Sequence, residues 1–220
     1  MENFVKKIKR HPLLFLGGYF AVYNILFWFL EAWRRPVHIV HCRLDDLLPF
    51  CSWAVIPYVA WFAWVPAILL LFYLHSADSF WQLFGAMANG ITISLFCYAV
   101  YPTGLMLRKP LSGSSPLTKL IAMIYRTDTA TNVCPSLHVF VTVILLLAIL
   151  SAPWLRSVLF RCANVVVSLA ICASTVLIDQ HSLVDVVCGA ALALFCYALQ
   201  YCVVLALRRS PAPAAVEALR

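Results

Sequence analysis

Long apolar runs separated by short polar stretches dominate the chain. Six of them approach the roughly 20 residues a helix needs to cross a hydrocarbon core: Leu13 to Trp33, Ser52 to Leu74, Phe80 to Tyr101, Pro135 to Trp154, Ser157 to Ile178, and Leu183 to Leu207. They are too long and too continuously apolar for membrane barrel strands, which alternate over roughly ten residues. The pattern predicts an all-α fold, a polytopic membrane protein whose six-transmembrane-helix bundle covers residues 13–207. A basic segment, 1–12, precedes the bundle. A polar tail, 208–220, follows it and is expected to be a disordered end.

Composition agrees with that class. Of the 220 residues 64% are hydrophobic and only 11% charged, against about 25% charged in soluble domains, and the mean hydropathy is +0.91. A net charge of +7 would suit a nucleic-acid partner in a soluble protein. In a membrane protein Lys and Arg report orientation instead, so membrane lipids and not nucleic acid are the expected surroundings. Lys6, Lys7, Lys9, Arg10, Arg156, Arg161, Arg208, Arg209 and Arg220 fall on one side of a six-span chain. Arg34, Arg35, Arg43, Arg108, Lys109, Lys119 and Arg126 fall on the other. This bias favours cytoplasmic termini. The first apolar run is followed by no small-x-small cleavage site and is expected to stay as an anchor.

Cys97, Cys162, Cys172, Cys188, Cys196 and Cys202 lie within the spans as small apolar residues. Cys42, Cys51 and Cys134 lie in or beside outer loops, where an oxidising compartment would allow a Cys42 to Cys51 disulfide. No Cys/His spacing suggests zinc, and neither a metal nor another cofactor is expected. Oligomeric state stays open.

Six spans also put loop 102–134 on the same face as the turn before the last helix, whatever the absolute orientation. Two polar clusters meet there. One, Asn132 to His138, opens the fourth span; the other, His181 to Asp185, opens the sixth. Residues four apart share a helix face, so Asp185 can accept the His181 imidazole N–H and orient the ring. A lone interfacial histidine or capping acid is ordinary. Two histidines, a serine and an acid at one membrane boundary point to function, because intramembrane ionisable groups are costly. Asn132 or Cys134 is expected to cap the fourth helix, with Pro135 in its first turn. That helix end suits an anion; Ser136 adds a hydroxyl, and Arg108, Lys109 or Arg126 can add charge-assisted hydrogen bonds. His181 is then a candidate nucleophile and His138 a candidate general acid for a leaving oxygen. The combination describes phosphoryl transfer without a metal.

The stretches PSLH, Pro135 to His138, and STVLIDQHSLVD, Ser174 to Asp185, resemble the second and third signature motifs of the type 2 phosphatidic-acid phosphatase superfamily, which also contains the vanadium haloperoxidases. That third motif runs Ser-Arg-x5-His-x3-Asp, and Ser174, His181 and Asp185 fall in register. Leu44 to Trp64 is similar to the entry into the second helix of many bacterial members and of the sphingolipid synthase branch. Two departures stand out. The family's first motif is Lys-x6-Arg-Pro, but Pro102 occupies the Lys position when Lys109-Pro110 is set on Arg-Pro, and Thr175 replaces the Arg of the third motif. Both look like the divergent branch of inositol phosphorylceramide synthase-like and sphingomyelin synthase-like phosphotransferases.

The resemblance implies an enzyme, a phosphatase or phosphotransferase acting on a lipid phosphate, with water or an alcohol as acceptor. It implies His181 as nucleophile, Asp185 as its orienting partner, His138 as general acid and Ser136 as a phosphate ligand; Arg108, Lys109 and Arg126 are added by placement. Two other classes fit the same residues. One is a zinc-dependent membrane hydrolase using His138, His181 and Asp185 as ligands; the other is a non-catalytic bundle that binds or moves lipid.

Overall fold

The structure is a computed structural model that describes residues 12–33, 35–111 and 113–209. Its helices are α1 (Pro12–Trp33), α2 (Val55–His75), α3 (Ala77–Val100), α4 (Pro116–Thr127), α5 (Leu137–Ser151), α6 (Val158–Leu177) and α7 (Leu183–Arg209). Two two-residue strands, β1 (His38–Ile39) and β2 (Thr103–Gly104), pair in parallel. The protein is mostly helical, and five helices, α1, α2, α3, α6 and α7, are long and apolar enough to cross a membrane. The fourth predicted span is shorter than expected. At 1.5 Å per residue the 15-residue α5 reaches about 22 Å, because the chain ahead of it stays irregular until Ser136.

The basic residues Lys6, Lys7, Lys9, Arg10, Arg34 and Arg220, on which the orientation argument leans, lie outside the described residues, as does the tail from 210 onward. Nothing joins Cys42 to Cys51; both are free thiols.

Helix α5 is the axis of the bundle. It is apolar on all sides, as a fully surrounded helix should be, and Phe140, Ile144, Leu145 and Ile149 have no exposed surface. Lipid tails are as apolar as leucine, so close packing, not exclusion of water, must hold such helices together. Two glycines permit it. A Cβ at Gly90 would sit 2.0 Å from the Phe140 ring, and one at Gly189 would sit 2.5 Å from the Ser136 carbonyl oxygen, so α3 and α7 approach α5 at backbone distance. Polar contacts add specificity: the Trp64 indole N–H donates to Asn164 Oδ1 at 2.9 Å, tying α2 to α6.

At the other extreme α1 is mostly exposed. It touches α3 through the Tyr19 hydroxyl, which donates to the Ala88 carbonyl at 2.9 Å, and through edge-on contacts of Phe15 with Trp81 and Phe84. Between α1 and α2 this loose packing leaves a cavity.

Three loops are tied together at one end of the bundle. Val40 N–H donates to the Gly104 carbonyl, Leu105 N–H to the Ala130 carbonyl and Asn132 N–H to the Thr103 carbonyl. Helix α4 lies among them, in a segment expected to be loop. It begins with Ser115 accepting the Thr118 N–H and Pro116 in the first turn, and it buries Ile121 and Ile124 while Lys119, Met123 and Arg126 face outward. That is the form of an interfacial helix.

Candidate functional site

His181 and Asp185 meet as their spacing predicts. The turn before α7 is set by Thr175, whose carbonyl accepts the N–H groups of both Gln180 and His181, and by Asp179, which takes a left-handed φ of 53°. His181 Nδ1 then lies 3.3 Å from Asp185 Oδ2, which also accepts the Ser182 N–H at 2.9 Å. Asp185 is fully buried and His181 is 8% exposed. With Nδ1 engaged by the carboxylate, Nε2 is the ring nitrogen left for chemistry.

His138 stands across from it, the two ring centroids 6.1 Å apart. Its imidazole is gripped by Tyr58, stacked at 4.6 Å, and by Trp61 at 4.5 Å. Its Nε2 is buried with no hydrogen-bond partner. Behind Tyr58, the phenol donates to Asp128 Oδ2 at 2.9 Å.

Both histidines line the cavity between α1 and α2, whose volume is about 660 Å³. One arm is apolar, walled by Phe20, Phe27, Trp28, Phe62, Pro66 and Leu69; the other is polar, walled by Asp128, Thr129, Thr131, Asn132 and Gln180 beside the histidines. The size falls within the range typical of small-molecule sites. The arrangement fits an amphipathic guest.

The remaining candidates are placed differently. Arg108 is one step behind the cavity: its guanidinium donates to the carbonyls of Tyr125 and Asp128 at 3.1 and 2.7 Å and to Gln180 Oε1, and it lies over the Tyr125 ring. Lys109 and Arg126 are exposed and do not line the cavity. Ser136 has no exposed surface; its hydroxyl accepts the Val139 N–H, its own N–H donates to the Asp185 carbonyl at 3.1 Å, and α7 covers it at Gly189. Ser136 is therefore the cap of α5, the role expected of Asn132 or Cys134, and helix α5 starts two residues later than predicted. Thr175, at the position of the missing arginine, is buried and its hydroxyl returns to the Cys172 carbonyl. Among the described residues no three His, Cys, Asp or Glu side chains gather as a metal-ligand set.

Asp45 is the residue that sequence reasoning missed. It is 7% exposed and comes from a loop 138 residues away, yet its carboxylate accepts the Leu183 N–H at 2.9 Å, the Ser182 hydroxyl at 2.7 Å and the Cys42 N–H at 2.8 Å. It thus closes the N-terminus of α7 beside the histidine. Burial alone would raise its pKa, but those hydrogen bonds outweigh burial and hold it below the ordinary carboxylate value.

Comparison with family models, curated proteins and solved structures finds no match. Function is therefore argued from the residues and their geometry.

Proposed function

We propose that the protein is an integral membrane lipid phosphatase or phosphotransferase that works through a phosphohistidine, with no metal in the mechanism. The observation that carries this reading is the pair of histidines on one cavity wall, one of them oriented by a buried carboxylate. In the first step His181 Nε2 attacks phosphorus and the bond to the leaving oxygen breaks. His138 gives that oxygen a proton, while Asp185 holds the Nδ1 proton and stabilises the imidazolium as it forms. Water or an alcohol then attacks the phosphohistidine, and His138 takes back a proton. The apolar arm of the cavity receives hydrocarbon, so the headgroup reaches the histidines without the lipid leaving the bilayer.

In this proposal α5 is a sixth, recessed span. Because α5 is short, the irregular loop 128–136 dips toward the hydrocarbon and carries the site below the boundary; non-helical backbone is tolerated at such depth only where it lines a cavity or is buried in protein. Both termini are placed in the cytoplasm and the site on the opposite side, on the distribution of Lys and Arg.

A second reading, a bundle that binds lipid without catalysis, draws on one observation. Among the described residues no Lys or Arg lines the cavity, and Asp128 does. The two are separated by offering the purified protein lipid phosphomonoesters, pyrophosphates and phosphodiesters, with phosphate release and headgroup transfer measured separately. Acid-labile phosphate trapped on the wild type and absent from His181→Ala supports the enzyme. Full turnover in His181→Ala overturns the phosphohistidine route, loss of turnover on chelation that zinc restores favours a metal hydrolase, and binding without turnover leaves the lipid-binding bundle.

A further inference from the structure

A second cavity, of about 270 Å³, lies at the end of the bundle away from the histidines. Its walls come from the first turns of α3, the end of α5, the turn after α5 and the later half of α7. The two ends of α5 are about 22 Å apart, so the cavity is remote from the site at the start of that helix. Phe72, Leu83 and Ala148 give it an apolar lining. Trp154 is held beside them, stacked on His75 at 3.8 Å and edge-on to Phe72 at 5.3 Å. Gly85 lets α7 come near: a Cβ there would sit 3.2 Å from Gln200 Oε1, so the carboxamide lies against α3.

The polar part of the lining is uncharged, and its donors and acceptors are balanced. Among the described residues no Lys, Arg, His, Asp or Glu lines this cavity. Ser151 donates to the Leu147 carbonyl at 2.7 Å, so its oxygen accepts from the Tyr197 hydroxyl and the phenol oxygen keeps a lone pair to offer. Ser79 Oγ accepts from Ser76 at 3.1 Å, which leaves its own O–H to donate. Gln82 on α3 and Gln200 on α7 each add a carbonyl oxygen and an NH2 group, and neither carboxamide bonds to another described residue. An anion would meet acceptors it cannot use and no cation, and an ammonium would meet idle donors and no carboxylate. A hydroxyl both gives and takes, so a group of neighbouring hydroxyls matches the set.

We propose that this cavity is a second binding site, which takes the uncharged polyol headgroup of a membrane lipid, a glycerol or a sugar, while the lipid's chain stays in the bilayer. Gln82, Gln200, Ser79 and Tyr197 bind the hydroxyls, and Trp154 offers ring surface to the C–H groups between them. Depth favours a lipid over a soluble polyol: α3 and α7 are long enough to cross the membrane, and Gln82 is the sixth residue of α3, about 8 Å from its start, where headgroup gives way to hydrocarbon. The volume falls just below the roughly 300–1,000 Å³ of pockets that enclose a whole small molecule, as suits a headgroup whose chain lies outside. The site shares no residue with the histidine cavity and does not depend on phosphoryl transfer.

The test is photolabelling of the full chain in phosphatidylcholine nanodiscs, with an alkylglycerol that carries a diazirine next to its glycerol; mass spectrometry locates the label. Label is expected on segments 79–86, 151–154 and 197–200. An excess of unlabelled dodecylglycerol or dodecyl glucoside is expected to remove most of it, and the better competitor identifies the headgroup. Dodecyl phosphate and dodecyltrimethylammonium, of the same chain length but charged, are expected to compete at least roughly tenfold less well. Gln200→Leu and Gln82→Leu each remove a donor and an acceptor, and each is expected to lower labelling roughly 2- to 10-fold, with the midpoint of thermal unfolding measured alongside to show that the variant is folded. Ala86→Phe fills the cavity and should abolish labelling there. Label spread evenly over the lipid-facing helices, competition by either charged chain equal to that of the polyols, equal competition by free glycerol, or labelling unchanged in both glutamine variants overturns the proposal.

Discussion

Asp45 offers a test of how the turn before α7 is held. In Asp45→Ala three donors lose their acceptor at once, the Leu183 N–H, the Ser182 hydroxyl and the Cys42 N–H. In Asp45→Asn the oxygen facing Leu183 survives, the Ser182 hydroxyl can rotate to accept, and only Cys42 N–H is left facing an NH2 group. An unsatisfied buried donor costs about 1–3 kcal/mol, and loss of a negative charge at a helix N-terminus adds about 0.3–1 kcal/mol. The asparagine variant should therefore loosen the Cys42 side of the clamp by about 1–3 kcal/mol and the start of α7 by about 0.3–1 kcal/mol, and the alanine variant should loosen both by more. Hydrogen exchange by mass spectrometry reads this locally: at 1.4 kcal/mol per tenfold, in Asp45→Asn the peptide containing Leu183 should exchange roughly 2- to 5-fold faster and the peptide containing Cys42 roughly 5- to 140-fold faster.

The pH dependence carries a sign. Because the folded pKa of Asp45 is depressed, its contribution is complete above the unfolded value near 4 and is lost only as pH falls through the lower folded value. Protection at Leu183, corrected for intrinsic exchange, should be level from about pH 5 to 8 and decline only below about 4, and the decline should be missing in Asp45→Asn. Unchanged exchange at Leu183 and Cys42 in Asp45→Ala would refute the clamp.

Other outcomes follow from the same geometry. His138→Ala should slow transfer by about 10²- to 10⁴-fold, most for substrates with poor leaving groups, because a general acid matters least when the leaving oxygen needs no proton; Brønsted plots for both proteins check it. Asp185→Asn should lower turnover, and it should also expose Ser182 N–H to exchange, since one carboxylate oxygen serves both groups. Gly189→Val should lower the midpoint of thermal unfolding by several degrees or prevent folding, as its Cβ would meet the Ser136 carbonyl at 2.5 Å. Arg126→Ala should leave lipid turnover within about twofold, whereas Arg108→Lys should impair it, because an ammonium cannot fork to two carbonyls and an amide together.

Much of the fold was legible because hydrocarbon length and helix length are linked. The limits of α1, α2, α3, α6 and α7 fall within a few residues of the apolar runs. The approach of His181 to Asp185 was legible for the same kind of reason, a helical period, and the two histidines do share a cavity as expected from a count of six spans, of which five helices are long enough to cross a membrane. Helix α4 went unread because its apolar positions, Leu117, Leu120, Ile121 and Ile124, are too few to register as a span; Ser115-Pro116 ahead of that spacing was the signal that could have marked it. Asp45 could not be told from Asp46 by sequence. Only the fold separates them, turning one to α7 and leaving the other to pair with His41 at 3.0 Å on the surface.

The helix starts also differ from the sequence expectation in how many of their own donors remain for an anion. A helix N-terminus attracts anions only while its N–H groups are free. At α7 those groups are spent: Ser182 N–H is held by Asp185, Leu183 N–H by Asp45 and Val184 N–H by the Ser182 hydroxyl. At α5 the Ser136 hydroxyl takes the Val139 N–H, and the Ser136 N–H goes to the backbone of α7. The two helix starts that carry PSLH and HSLVD are thus joined by one bond, Ser136 N–H to the Asp185 carbonyl, and two carboxylates, Asp45 and Asp185, stand at the start of α7. Trp61 Nε1, Asn132 Nδ2 and Gln180 Nε2, on residues that line the cavity, are themselves buried without a partner. The motifs located the two histidines and Asp185 because those positions are marked by residue type; which backbone donors beside them are already consumed depends on what the fold brings near, and that is written only in three dimensions.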